Sequence, residues 1–303
     1  MAENREQIIE DLLVGAVDLH CHSGPSVMPR SIDHIEASKQ ASAAGLKAIL
    51  FKDHYYSATP VTKLLENHYQ DLKLEFLSGL ALNNSVGGFN RYAVDHAIKL
   101  GADLIWMPTF SSQNHIDQHK SDKDFDQKFP TTKEKMLAPT PLKALDDKGN
   151  LLDEVKFILD LIGEHDLVLS SGHLNISEIW TLFEEAKARG VKRLLVNHPT
   201  YVVGATLADI TWLVEIGAYV EHSMCMFNER SKYHFYSPGD LDDMIKAAGV
   251  ERTILGSDLG QVDNPMPVDG FRVVIGLCLN LGYGPEDIRK MISTNACALM
   301  ELD

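Results

Sequence analysis

The sequence predicts an α/β protein built as a (β/α)8 barrel, on three observations. Short apolar, β-branched-rich runs alternate with longer segments of helical period from one end to the other. Eight such runs can be counted, and no Gly-rich phosphate loop follows the first, as a dinucleotide-binding open sheet would require. The length of 303 residues suits a single barrel domain with an insertion, since barrels run to roughly 250 residues or more as one domain.

The predicted strands are, in order, VGAVDLH, LKAILFKD, LEFLSGLAL, ADLIWMPTF, DLVLSSG, KRLLVNH, GAYVEHS and RTILGSD. Between them lie helical patterns: IDHIEASKQASAAG, NRYAVDHAIKLG, LDEVKFILDLIGEH, ISEIWTLFEEAKARG, LADITWLVEIG and LDDMIKAAG. Their ends carry the expected punctuation. Asn175 with Glu178 three residues on forms a capping-box pattern, Pro238 follows Ser237 at a helix start, and Gly190 and Gly249 close helices. After the eighth strand, FRVVIGLCLNLG and PEDIRKMISTNACALMEL read as two further helices.

One segment breaks the rhythm. Residues 111–150 are polar and dense in charge, too long for an ordinary βα connection. They follow the fourth strand on the face where barrels carry their sites, so the segment is expected to be an insertion, either a substrate-contacting lid or a solvated excursion.

Composition narrows the partners. With 45% apolar and 23% charged residues the chain has the make-up of a soluble globular protein. The formal charge of −15 and the lack of a basic run argue against nucleic acid and anionic membrane, leaving a small-molecule substrate. MAENREQIIEDLL has no apolar signal core and no run is long enough to span a bilayer, so a cytoplasmic protein is expected. The four cysteines, Cys21, Cys225, Cys278 and Cys297, show no CxxC spacing and suggest neither a disulfide framework nor a zinc ribbon. Oligomeric state is left open, with a homo-oligomer allowed.

The unusual polar residues recur at one place. The first strand ends in His20 and His22, the second in Lys52, Asp53 and His54, the fifth in His173, the sixth in His198, the seventh in Glu221 and His222, the eighth in Asp258. C-terminal strand ends of a (β/α)8 barrel converge, so these residues are expected to be neighbours. Each alone has a structural explanation as a cap or turn residue; the joint pattern points to a site. His20 and His22, two apart on a strand, share a face. Histidines with a carboxylate suit a divalent ion such as Zn²⁺, and a carboxylate beside the activated water can take its proton. Asp258 is the candidate base.

The set DLHCH, SGH, NHP and GSD resembles the amidohydrolase superfamily of metal-dependent hydrolases. The resemblance implies His20, His22, His173 and Asp258 as metal ligands. It implies His198 as a further ligand or transition-state stabiliser, and Asp258 as general base. The bridging lysine or glutamate of binuclear members has no counterpart at the end of the fourth strand, LIWMPTF, so a single metal is favoured. Lys52 is either a carboxylated bridge or, more economically, an ammonium that binds a substrate anion. The first 60 residues, DLHCHSGPS to SAAGLKAILFKDH, also resemble the polymerase-and-histidinol-phosphatase family of metallophosphoesterases, which would add Asp53 and His54 to the centre. That family's glutamate after the third strand and its late Asp-x-His are missing here.

The expected activity is hydrolysis of a small-molecule amide or lactone carbonyl. Phosphoester hydrolysis, a decarboxylase-like reaction and a non-catalytic metal- or metabolite-binding barrel are the alternatives. Lys52, His54, Tyr55, Arg91 and His222 are candidate substrate-binding residues by position.

Overall fold

A computed structural model describes residues 2–123, 129, 132 and 136–303. Eight strands follow one another in the order of the chain: β1 (Val17–Cys21), β2 (Ala48–Phe51), β3 (Glu75–Ala81), β4 (Leu104–Trp106), β5 (Val168–Ser170), β6 (Arg193–Asn197), β7 (Tyr219–Ser223) and β8 (Thr253–Gly256). Pairing is parallel wherever a register is defined, for example Gly79 opposite Leu104 and Leu104 opposite Val168. A parallel bridge from Cys21 to Leu259 returns the eighth strand to the first, which makes the sheet a (β/α)8 barrel. Nearly every strand residue is buried, as expected of parallel strands covered on both faces.

The chain falls into two compact units: Met1–Phe51, Val61–Leu77 and Glu221–Asp303 form the first, and Lys52–Pro60 with Ser78–Val220 the second. The first unit's core gathers Val17, Leu19, Ile254, Leu255, Phe271 and Ile292, all essentially without solvent contact. Around them pack α1 (Ala2–Leu13), α2 (His34–Ala43), α9 (Pro238–Ala248), α10 (Pro267–Leu281), α11 (Pro285–Arg289) and α12 (Asn295–Met300). Helix α3 spans Thr59–His68. The charged start of the chain is thus a helix rather than a loose end. Its Leu12 and Leu13 are buried, and Arg5 reaches Gly276 O and Asn280 Oδ1, each at 2.7 Å. Arg289 donates to the carbonyls of Asp11, Leu12 and Val14, covering the groups that α1 leaves without helical partners.

In the second unit, α4 (Arg91–Leu100), α5 (Gln113–His119), α6 (Asp153–Glu164), α7 (Ile176–Ala188) and α8 (Leu207–Glu215) accompany β4 to β6. Asn175 and Glu178 form the anticipated capping box on α7, and Ser237 with Asp240 forms one at the Pro238 helix start. Glu178 does a second job: its Oε1 accepts from Ala144 N at 2.9 Å and so fastens the far end of the 111–150 segment. The near end is fastened by reciprocal backbone bonds between Ser111, Gln113 and Leu142. The inserted segment therefore contains a helix, α5, and two anchored ends. Its middle, residues 124–128, 130–131 and 133–135, lies outside the described residues, and part of the lid expectation falls there. Among the described residues, no helix is long and apolar enough to cross a membrane.

Candidate metal centre

In the first unit, β1 and the loop after β8 are zipped together by backbone bonds. Asp258 N donates to His20 O at 2.7 Å and His22 N to Leu259 O at 2.9 Å. Asp18 adds a side-chain staple, its Oδ1 accepting from His20 N and Ser257 N at 3.0 and 2.9 Å. Burial raises the Asp18 carboxyl to about 6 despite those bonds. Two glycines permit this geometry. At Gly260, φ is +114° and a Cβ would lie 1.6 Å from His22 O, while a Cβ on Gly256 would press on the Glu221 carboxyl at 2.8 Å. Asp258 itself holds a left-handed φ of +49°, a conformation that costs energy outside glycine and concentrates at functional positions.

The result is a buried cluster in which one ligand atom each from His20, His22 and Asp258 lies within 4.8 Å of the others. Asp258 Oδ1 stands 3.3 Å from His20 Nε2 and 3.1 Å from His22 Nε2. Glu221, fully buried on β7, lies 2.5 Å from His20 Nδ1. A carboxylate only accepts, so at that distance His20 Nδ1 donates to Glu221, and Nε2 is turned toward Asp258. A ring nitrogen and a carboxylate oxygen 3.3 Å apart call for a proton or a cation between them. Burial, and then the neighbouring Arg30 guanidinium, push the His22 imidazole down to about 3, so it is neutral and can act as a ligand. Arg30 Nη2 is 3.5 Å from His22 Nδ1, the outer limit of a hydrogen bond. Two imidazoles and a carboxylate, one imidazole oriented by a second carboxylate, form a donor set that fits a divalent metal.

The second unit assembles a different group of rings. His54 stacks on Phe110 with centroids 3.9 Å apart and planes at 13°, and Phe110 stacks in turn on His115 at 4.8 Å. His115 Nδ1 and His173 Nδ1 are 3.0 Å apart, so one of the pair donates to the other. The His173 and His198 ring centroids are 5.0 Å apart. Asn83 organises the floor: its Oδ1 accepts from Thr109 N and Ser111 N at 2.9 Å, and its Nδ2 donates to His54 O and Thr109 Oγ1. Ser112 Oγ and Asn114 Nδ2, at the start of α5, both donate to His173 O. Burial first, and then neighbouring imidazoles, hold His173 and His115 well below the ordinary histidine range. His173 Nε2 is buried and has no hydrogen-bond partner among the described residues. His198, like Asp258, is left-handed, with φ +33°.

The remaining candidates separate. Lys52 is buried, its Nζ 5.3 Å from the Trp106 ring centroid, and its charge is felt at His173. Tyr55 is half-buried beside His54 and Phe110. Arg91 stands apart: it is exposed at the start of α4 and lies 5.1 Å over both the Tyr92 and the Phe157 rings. His222 is buried, and burial lowers it to about 4. As the residue after Glu221 in a strand, it leaves the opposite face from the one turned to His20. Sequence reasoning placed Glu221 at a strand end but gave it no role; the signal was an acid inside the otherwise buried run YVEHS. Asn83, Thr109 and Phe110 carry no metal-ligand chemistry and went unremarked. His115 lay in the insertion, with nothing in its spacing to tie it to His173.

The fold is a (β/α)8 barrel with a candidate metal-ligand cluster at its strand ends. The structure is similar to that of an amidohydrolase from Pseudomonas aeruginosa, with a TM-score of 0.65 and 10% identity over 98% of each chain. It is equally similar to the probable dipeptidase PvdM from Pseudomonas aeruginosa, with TM-score 0.65, 10% identity, 99% of this chain and 98% of that one. The 2,6-dihydroxybenzoate decarboxylase from Rhizobium follows, with TM-score 0.57, 12% identity and coverage of 96% and 99%. At such identities the likeness is one of fold. No protein of curated function matches the sequence. The chain belongs to the family of unknown function DUF6282, whose model matches residues 15–221. His20, His22, His173, His198 and Glu221 fall inside that match and Asp258 outside it.

Proposed function

We propose that this chain is a metal-dependent hydrolase that directs water at the carbonyl of a small-molecule amide or lactone. The observation that supports it most is the convergence of His20 Nε2, His22 Nε2 and Asp258 Oδ1, with His20 turned into place by Glu221. These residues would hold one divalent ion, Zn²⁺ on the chemistry of the donors. When bound, such an ion supplies Lewis-acid polarisation and lowers the pKa of water toward about 7.

The chain's own residues do the rest. Asp258 accepts the proton of the attacking water at its carboxylate and returns it to the leaving nitrogen or oxygen. Glu221 keeps the His20 proton on Nδ1 throughout. By strand order, His173 is proposed as a further ligand and His198 as a further ligand or a donor to the developing oxyanion. Lys52, His54 and Tyr55 are proposed for substrate binding.

The test is turnover of a panel of amides, lactones and phosphate esters, together with CO₂ release from aromatic carboxylates, before and after chelation. The expected result is chelator-sensitive carbonyl hydrolysis, lost in Asp258→Asn while part of the metal is retained. Phosphate release alone or CO₂ release alone would replace the reaction class, and unchanged hydrolysis in Asp258→Asn would remove Asp258 from the mechanism.

A further inference from the structure

The inserted segment after β4 brings its helix, α5, against the end of β5, where it and its flanking residues hold one residue, His173. Gly172 makes the approach possible: its φ is +57°, and a Cβ on it would lie 2.2 Å from Met107 O. His173 N donates to Pro108 O at 2.9 Å. The His173 carbonyl accepts from Ser112 Oγ and Asn114 Nδ2 at 3.0 and 3.1 Å. Asn114 is itself anchored, donating to Val202 O at 2.6 Å and accepting from Asn175 Nδ2 at 3.3 Å. All of these residues belong to the second unit.

The ring is held as well as the backbone, because His115 Nδ1 on α5 lies 3.0 Å from His173 Nδ1. His115 is 3% exposed and fixed from two more sides. Phe110 stacks on it with centroids 4.8 Å apart and planes at 25°, and the ring of His119, one helical turn on, lies 4.5 Å away with its Nδ1 bonded to Asp122 Oδ2 at 2.8 Å.

Two neutral imidazoles joined Nδ1 to Nδ1 leave two polarities. If His115 donates, the His173 proton sits on Nε2, a buried atom with no acceptor among the described residues. If His173 donates, Nε2 carries a lone pair instead. A buried N–H without an acceptor is rare in native structures, whereas a histidine that binds a metal through one nitrogen regularly gives the other N–H to a fixed partner.

We infer that α5 is the positioning element of His173: His115 accepts the His173 Nδ1 proton and so leaves Nε2 as the lone pair available to a metal ion. The inference rests on the hydrolase reading, in which His173 is a further ligand, and it gives the insertion a role other than covering the site. Glu221 does the same for His20 with a carboxylate as acceptor. A neutral imidazole adds no charge, so His115 acts through the direction and tautomer of the His173 ring alone.

The first measurement needs no variant. Heteronuclear NMR of the full chain, stripped of metal and labelled with ¹⁵N in its histidines, reads which ring nitrogen of His173 carries the proton; the His173 signals are those absent from His173→Gln. The proton is expected on Nδ1 in the parent, with that preference lost in His115→Phe, which keeps a ring against Phe110 but offers no acceptor. Zn²⁺ affinity, read by competition with a chromophoric chelator, should fall about tenfold in His115→Phe and recover in His115→Asn, whose Oδ1 can stand where Nδ1 stood. A parent with its His173 proton on Nε2 overturns the inference. So does parent-like Zn²⁺ affinity in His115→Phe, or an equal loss in His115→Asn, which would leave His115 with packing alone. A parent that binds no Zn²⁺ ends the hydrolase reading, and the tautomer then decides by itself whether His115 orients His173.

Discussion

Replacing Glu221 by glutamine separates the centre's architecture from its chemistry. The substitution keeps the shape of a fully buried side chain and an acceptor for His20 Nδ1, but it removes the charge 2.5 Å away that makes the imidazole a stronger donor. Carboxylates behind metal-bound histidines change metal affinity by about 10- to 100-fold when mutated, which is about 1.4 to 2.8 kcal/mol. The metal-free protein should behave differently. Asp18 already feels the Glu221 charge as a repulsion, so neutralising Glu221 should cost the apo fold no more than about 1 kcal/mol. Competition with a chromophoric chelator reads the first quantity and urea unfolding of apo protein the second. Equal metal affinity in parent and Glu221→Gln would refute the role of Glu221, and a large loss of apo stability would recast it as a structural prop.

Other expectations concern the frame around the site. His34 is buried and bonded to Ser23 Oγ at 2.5 Å, and burial lowers it from 6.5 to about 4. Its contribution is therefore complete above about pH 6.5 and drains away as pH falls toward 4, because only the unfolded chain takes up the proton in that window; the loss approaches about 3 kcal/mol. Urea midpoints across that range should show the slope, and His34→Gln should flatten it. Gly260→Ala forces a Cβ onto the His22 carbonyl at a left-handed φ, and should cost on the order of 3 kcal/mol together with weaker metal binding. Arg289→Ala strips the bonds from the end of α1 and should cost roughly 1 to 2 kcal/mol, visible as faster amide exchange confined to residues of α1, with metal binding unchanged.

The strands were legible because parallel strands buried on both faces read as continuous apolar runs, and the helices because their caps sit in the sequence as Asn175 with Glu178 and Ser237 with Pro238. His20, His22 and Asp258 could be nominated together because strand ends gather where the fold gathers them, and the structure brings those three within reach of one another. Other features depend on long-range packing that a local pattern does not encode. The helix at the start of the chain is fastened by Arg5 and Arg289, whose partners lie more than 270 residues away. The pairing of His115 with His173 depends on a helix inside a segment whose polarity left a substrate-contacting lid and a solvated excursion both open. Arg91 was nominated by nearness to a strand end, but it opens an amphipathic helix on the solvent side and packs against Phe157.

The central claim is that His20 and His22, with Asp258, hold a metal ion, and elemental analysis of the purified protein beside His20→Ala/His22→Ala tests it most directly. The account predicts about one equivalent of a divalent transition metal per chain in the parent and almost none in the double variant. A parent that holds no metal, or a double variant that holds as much as the parent, would contradict it.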